Sequence, residues 1–330
     1  MKFINFPNKQ LKYDGKNMKK RAAAILTTIL CVVSFAAAAS PSTYNFLRND
    51  VSARAAALGG SFVSMTDDPN AVFYNPSVLA TLSGPQVSFG FFKHLLNINS
   101  GYASYGTDVD GFGYVGAGII YINYGDFTRT NDLGNVLGTF TANELAISLG
   151  YATELAPRVQ YGANVKFIYS GIAEATSTAA GLDLGVLYSF EEPHLTVGMS
   201  LLNLGTQLDP YLSTRESLPL DLKIGGTIQP EHLPLLLNLN FHKLNETAND
   251  FVDHFRSFSV GGEFLVSEAA RLRVGFNNER RRDLKLGTSA GLAGFSFGGG
   301  VLVGMYKVDY AFNSYGKIGS LHRISLGVSL

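Results

Sequence analysis

Six histidines and one pair of adjacent aspartates are the side chains best suited to metal binding or acid–base chemistry in this chain. These histidines are His94, His194, His232, His242, His254 and His322. No two of them stand at the spacing of metal ligands with a third ligand nearby. Asp67 and Asp68 form a carboxylate pair, but no base or nucleophile accompanies them, and capping of a turn is the simpler role. The sequence therefore predicts a protein that is not an enzyme and holds neither cofactor nor metal.

Three consecutive arginines offer a second kind of chemistry, the binding of phosphate or carboxylate groups. Arg280, Arg281 and Arg282 stand in the stretch NERRRDLK, which the strand pattern below assigns to an outer loop. Guanidinium groups there could bind the phosphates of lipopolysaccharide or an acidic partner. Glu279 and Asp283 flank them, and a solvated loop with local ion pairs is the alternative.

The composition restricts the kind of protein that can position these side chains. Charged residues make up 16% of the 330 residues, against roughly 25% in soluble domains, and the mean hydropathy is +0.12. After the amino-terminal segment, no stretch reaches the ~18 consecutive apolar residues of a transmembrane helix. Apolar residues must therefore be distributed by alternation, which is typical of a membrane β-barrel. A two-layer, all-β soluble protein is the alternative that composition leaves open.

Residues 1–39 have the pattern of a secretory signal peptide, with the true start at Met18. A basic start, a short apolar run and small residues ending near Ala39 follow one another in residues 18–39. Cys31 is the only cysteine, so cysteine chemistry is excluded after this segment. Seven of the 26 basic residues lie in 1–39, which leaves the rest of the chain net acidic and unsuited to nucleic acid.

Alternation of apolar and polar residues predicts about fourteen strands, an even number as in bacterial single-chain barrels. In VQYGANVKFIYS, apolar side chains from Val159 to Tyr169 share one face and polar or small ones share the other. The polar face would line the lumen of a barrel or meet water in a soluble sandwich, so alternation alone does not separate the two. The predicted strands are 86–96, 99–107, 111–123, 140–152, 158–170, 179–190, 194–203, 220–229, 234–244, 256–266, 270–278, 292–302, 306–313 and 321–330.

The connections between these strands favour the barrel. Those after even-numbered strands are short, and those after odd-numbered strands are mostly longer, as in the 124–139 and 205–219 stretches. Outer-membrane barrels have short periplasmic turns and long outer loops, whereas a sandwich has no reason to keep this asymmetry. The first hairpin is an exception, with a short turn where a long loop is expected.

The last strand has the pattern expected of one that closes a barrel. Its polar or small positions are Arg323, Ser325, Gly327 and Ser329. The apolar positions that alternate with them are Ile324, Leu326, Val328 and Leu330. We therefore assign residues 86–330 to an antiparallel transmembrane barrel.

Residues 40–85 do not alternate and are predicted to form a hatch of short helices. Ser52 can cap an alanine-rich helix that ends at two glycines, and Pro69 and Pro76 punctuate the rest. In a luminal hatch, Arg54 and the Asp67-Asp68 pair would contact the barrel wall. A periplasmic cap packed under the barrel is the alternative.

Several stretches carry a resemblance to a known family. SARAAALGGSFVSMTDDPNAVFYNPSVLA, ANVKFIYSGI, GLDLGVLY and LNLGTQL resemble the PorV/PorQ family, and most of all its PorQ-like members, which are FadL-like fourteen-stranded barrels. The Asn75-Pro76 step resembles the Asn-Pro of their hatch. The resemblance implies a non-enzymatic barrel of the type IX secretion system, in the outer membrane of a Gram-negative bacterium. It implies PorZ-like, PorV-like and PorU-like partners, with the PorZ-like surface protein anchored here while cargo is attached to lipopolysaccharide.

The FadL-like barrels also give an alternative function, the transport of hydrophobic small molecules through a hatch-gated lumen. Such a transporter needs an apolar pocket at the hatch. The residues that could line it are Phe62, Val63, Phe73, Tyr74 and Leu79. They could equally pack the hatch against the wall.

Overall fold

Fourteen antiparallel strands form a closed barrel in the computed structural model, which describes residues 43–330 except 95–97, 193, 247–249 and 286–290. Each strand pairs with its neighbours in sequence, and β1 pairs with β14. The predicted all-β barrel of fourteen strands is confirmed. The predicted signal peptide lies outside the described residues. The strands are β1 Gln86–Lys93, β2 Asn99–Val109, β3 Gly113–Thr130, β4 Val136–Ala156, β5 Val159–Ile172, β6 Ala175–Phe190, β7 Leu195–Asp209, β8 Asp221–Ile228, β9 Leu235–Phe241, β10 Phe258–Leu265, β11 Ala270–Asn277, β12 Phe295–Val303, β13 Tyr306–Ser314 and β14 Ser320–Ser329.

The two faces of the wall have the polarity of a membrane barrel. Leu149 and Val165 are 58% and 59% exposed on the outside, whereas Ser148 and Lys166, their neighbours in sequence, are buried in the lumen. A wall with apolar side chains outside and polar ones inside suits lipid and not water. This reversal excludes the soluble sandwich.

The barrel has two different ends, which we name by their connections. The turn rim carries only short connections and holds both ends of the wall, where Leu330 N donates to Pro85 O at 2.9 Å. The loop rim, at the opposite end, carries the longer connections at 210–220, 242–257 and 278–294. The predicted asymmetry of the connections therefore holds for these three.

The prediction of a loop over residues 124–139 is wrong, because β3 and β4 continue through most of this stretch. β2 pairs with β3 only as far as Asn123, and β5 pairs with β4 only as far as Ala142. The intervening residues pair with each other and form a two-stranded ribbon beyond the loop rim, residues 124–141. Gly125, with φ +79°, marks the bulge at its base. Its tip exposes Leu133 at 85%.

The hatch consists of short helices whose starts follow from their capping residues. Ser52 Oγ accepts from Ala55 N, and Asp68 and Asn75 cap 3-10 helices that begin with proline. The helices are 3-10 Asn45–Arg48, α1 Ala53–Ala57, 3-10 Pro69–Phe73 and 3-10 Pro76–Thr81 in the hatch, and 3-10 Phe251–Arg256, α2 Asn278–Asp283 and 3-10 Gly316–Ile318 at the loop rim. Among the described helices, none has the length and apolar character of a transmembrane helix.

The hatch runs through the lumen from one rim to the other. Tyr44 Oη hydrogen bonds with Ser177 Oγ near the loop rim, and Asp67 accepts from Gln86 Nε2 at the turn rim. Most hatch side chains between these points are buried. The segment therefore fills the barrel and does not lie beneath it as a cap.

Candidate functional site

The hatch packs closely against glycines of the wall strands, which have no side chains. A Cβ atom added at Gly275 would lie 2.2 Å from Gly59 N, and one added at Gly162 would lie 2.5 Å from the carbonyl carbon of Pro76. Glycine permits this close approach of two backbones. We call these positions the wall glycines, which are Gly106, Gly116, Gly118, Gly150, Gly162, Gly185, Gly198, Gly261, Gly275 and Gly298.

A buried ion cluster joins α1 of the hatch to the wall. Arg54 binds Glu263 of β10 through two hydrogen bonds of 2.9 Å, and its Nη1 donates to Asp68 Oδ2 at 3.1 Å. The carboxylates of Glu263 and Asp68 offset the cost of burying the Arg54 guanidinium, which stays charged because arginine is not deprotonated in proteins.

The wall completes the cluster with two further cations and one carboxylate. Arg273 donates to Glu263 at 2.5 Å and to Asp309 at 2.6 Å, and Lys307 Nζ lies 3.6 Å from both Asp68 and Asp309. Three cations thus face three carboxylates, so the cluster is neutral. Asp68 is held in this cluster by Arg54 at 3.1 Å and Lys307 at 3.6 Å.

The two adjacent aspartates have separate environments. Asp68 points into the ion cluster, whereas Asp67 lies at the turn rim and accepts from Ser83 N, Ser83 Oγ and Gln86 Nε2. Asp67 adopts φ +54°, a conformation that aspartate tolerates in turns. They do not act as one carboxylate pair.

The Asn75-Pro76 step packs against the opposite side of the wall. Asn75 is fully buried; its Oδ1 accepts from Ser77 N and Ser77 Oγ, and its Nδ2 donates to Val63 O at 2.8 Å. Pro76 opens the last helix of the hatch beside Gly162. The step therefore fixes the fold of the hatch and its distance from the wall.

The arginine run forms a helix, α2, and not an open loop. Arg280 Nη2 donates to Asp50 of the hatch at 2.8 Å, and its guanidinium lies over the ring of Tyr315. Arg281 donates to Gly291 O, and Arg282 is about half exposed with Asp283 at 3.6 Å. Arg280 therefore ties the hatch to the loop rim, and only Arg281 and Arg282 are placed for an outside partner.

The loop-rim half of the lumen carries an apolar patch on β1 to β5. We call this set the luminal patch: Phe92, Tyr102, Ile120, Ile122, Ala146 and Ile168. Phe46 and Phe73 of the hatch belong to the same buried cluster, and the rings of Phe73 and Tyr102 meet edge-on at 6.1 Å. Nearer the turn rim the same strands present Ser88, Ser104 and Asn164 to the lumen. In its loop-rim half the lumen is therefore apolar along β1 to β5. Nearer the turn rim, the same strands make the lumen polar.

The five hatch residues considered for a ligand pocket lie in the core of the hatch. The rings of Phe62 and Tyr74 are 5.0 Å apart, and Leu79 packs on Gly116. Val63 is buried as well, and the ring of Phe73 meets Tyr102 of the luminal patch. These side chains pack the hatch against the wall, and the apolar cluster they form is built from hatch and wall residues together.

Sequence reasoning missed the wall partners of Arg54 and one serine motif. Glu263 is 209 residues away from Arg54, so only the folded barrel reveals the pair. The stretch 287–291 has G-x-S-x-G spacing, which occurs in strand-to-helix turns of hydrolases; here it follows helix α2 and precedes strand β12, and most of it lies outside the described residues. In the described part of the chain, no group of three or more potential ligands could hold a metal ion.

The backbone is similar to solved FadL-like barrels. The toluene transporter TodX of Pseudomonas putida superposes with a TM-score of 0.56 at 14% identity, over 85% of this chain and 97% of TodX. The toluene transporter TbuX of Ralstonia pickettii gives 0.55 at 13%, over 84% and 96%. A FadL homologue of Pseudomonas aeruginosa gives 0.53 at 10%, over 84% and 98%. No protein-family model and no curated protein matches. At these identities the likeness shows the fold.

Proposed function

We propose that this chain is an outer-membrane barrel that binds apolar small molecules in the loop-rim half of its lumen and passes them inward. The luminal patch carries this proposal, because an apolar surface inside a polar lumen suits an apolar ligand. The loop rim would face the cell exterior and the turn rim the periplasm. Support comes from the shared fold, since two similar structures are toluene transporters.

Two neighbouring isoleucines of β3 provide the test. Ile120 is buried in the luminal patch, and Ile119 is 39% exposed on the outside of the wall. Replacing Ile120 with Thr should weaken toluene binding by purified protein in lipid nanodiscs several-fold, because it places a hydroxyl in the apolar site. The Ile119→Thr variant should bind as the wild type does. Equal binding by both variants, or no binding by the wild type, would contradict the proposal.

A second candidate is a PorQ-like anchor of the type IX secretion system. Its support is the ribbon of residues 124–141, which projects beyond the loop rim and exposes Leu133, Val136 and Leu137. An isolated two-stranded ribbon is marginally stable in water, and its open edges are templates for another strand. The partners would be PorZ-like, PorV-like and PorU-like proteins and outer-membrane lipopolysaccharide, with Arg281 and Arg282 next to the lipid headgroups.

Recovery from native outer membranes distinguishes the two candidates. Mild-detergent purification of the tagged chain from its own host should recover a PorZ-like surface protein if the anchor is right. Shortening the ribbon by removing residues 126–139 should abolish that recovery without affecting toluene binding. Recovery of the barrel without any type IX component would reject the anchor.

A further inference from the structure

Glu144 is a buried carboxylate whose charge no lysine or arginine of the described residues balances. Six carboxylates are buried in the described residues, and five of them pair with a lysine or arginine. Glu144, which is 6% exposed on β4, pairs with none in the described part of the chain. A buried charge without a counter-charge is costly, so this position invites an explanation.

Hydroxyl groups surround the carboxylate without neutralising it. Tyr124 Oη donates to Oε2 of Glu144, and Ser170 Oγ donates to Oε1 at 3.2 Å. Tyr211 Oη donates in turn to Ser170 Oγ at 2.6 Å. An ionised carboxylate offers about four lone-pair sites, of which these contacts use two. The group therefore keeps acceptor capacity for a further donor.

The carboxylate borders the luminal patch. Ile122 is its cross-strand partner on β3, and Ala146 follows it on the same face of β4. Tyr124 stands at the base of the ribbon, so the carboxylate lies between the apolar patch and the loop rim. An elongated molecule with its apolar part on the patch would place its outer end at Glu144.

We propose that Glu144 selects apolar ligands that end in a protonated amine, a property that rests on the transport function proposed above. A protonated amine supplies both the missing positive charge and a hydrogen-bond donor, and such charge-assisted bonds are about twice as strong as neutral ones. An alcohol supplies only the donor. A carboxylate would meet repulsion at this position.

Acidic ligands would meet a buried cation elsewhere in the lumen, so the test must compare variants of the protein. Arg323 of β14 is 2% exposed, stacks on Phe92 and bonds to Asn313, and no carboxylate in the described residues pairs with it. Binding of a fatty acid by the wild type would therefore say nothing about Glu144.

Calorimetric titration of the full chain in lipid nanodiscs with decylamine, decanol and decanoate tests the proposal. The Glu144→Gln variant keeps the shape and loses the charge, so it should bind decylamine about tenfold or more weakly, with decanol changed less than threefold and decanoate not weakened. Glu154 of the same strand is exposed at the turn rim, where it accepts from Arg158 N. The Glu154→Gln control should bind all three compounds as the wild type does.

The outcomes separate this proposal from the function on which it rests. If Glu144→Gln binds decylamine within twofold of the wild type, the amine selectivity is wrong while apolar binding stands. If the wild type binds none of the three compounds, both the transport function and the selectivity are rejected. Retained decanol binding in Glu144→Gln shows that the variant has folded.

Discussion

Single residues hold the hatch in the lumen through charge. Arg54 contacts Glu263 and Asp68, and both carboxylates are almost fully buried. Such a cluster is not needed for stability in general, because its desolvation offsets much of its attraction. It does make the position of the hatch specific, since any shift of α1 separates the buried charges.

Replacing Arg54 with Met should loosen the hatch strongly. Breaking a buried ion pair costs about 3–5 kcal/mol because it leaves an unbalanced buried charge. Because Cys31 is the only cysteine of the chain, Ala56→Cys combined with Cys31→Ser supplies a single buried reporter in the hatch. Thiol labelling of that cysteine should become at least about 100-fold faster in the Arg54→Met background, since each 1.4 kcal/mol is a factor of ten.

The exposed pair of Arg129 and Glu174 supplies the control. Surface ion pairs add little to stability, so Arg129→Met should leave the labelling rate of the same cysteine unchanged. Equal labelling rates in the Arg54→Met and Arg129→Met backgrounds would show that the ion cluster does not hold the hatch.

The sequence predicts some elements of the fold correctly and misses others. Ser52 and the two prolines specified the hatch helices because caps and proline act locally. β5 followed from strict alternation. The ribbon was missed because its asparagines and glycines resemble a loop, while its stacked pair Phe127 and Phe140 is visible only after β3 and β4 are aligned. The ion cluster, the wall glycines and the setting of Glu144 depend on long-range register and have no local signal.

The fit between hatch and wall predicts which glycine of the barrel strands tolerates a side chain. Gly275→Ala places a Cβ 2.2 Å from Gly59 N of the hatch, and the resulting overpacking should cost about 1–3 kcal/mol. Gly299 of β12 has nothing nearer than 3.5 Å to an added Cβ. The Ala56→Cys reporter should label faster in the Gly275→Ala background and at the unchanged rate in Gly299→Ala. The reverse order would mean that the hatch does not rest against β11.

The whole molecule is organised by the reversal of its two faces. Apolar side chains such as Phe167 and Leu272 cover the outside, and the charged groups collect in the lumen. The sequence of a single strand does not show which face lies outside, because strands of a soluble sheet have the same alternation of apolar and polar residues. Closure of β1 on β14, with Leu326 opposite Phe89, continues the apolar outer face across the seam.

Two exposed leucines test where the membrane lies. Leu149 stands midway along the part of β4 that belongs to the wall, and Leu133 stands at the tip of the ribbon. Leu149→Arg should cost about 2–4 kcal/mol, as arginine does at the bilayer midplane. Leu133→Arg should leave stability unchanged because its side chain stays in water. Urea unfolding of both variants in lipid vesicles, followed by circular dichroism, measures their free energies of unfolding. Equal losses in the two variants would mean that the membrane does not surround Leu149 as we infer.

The wall glycines also constrain the order of events during biogenesis. A folded hatch that touches bare backbone on opposite sides of the ring has no clearance to slide in after the ring is complete. The hatch leads directly into β1, and β1 shares the closing seam with β14. The hatch must therefore lie in the lumen before β1 and β14 pair, so that the barrel closes around it. If the hatch were not in place, β1 and β14 would keep unpaired edges. Periplasmic chaperones and proteases can recognise such an open barrel.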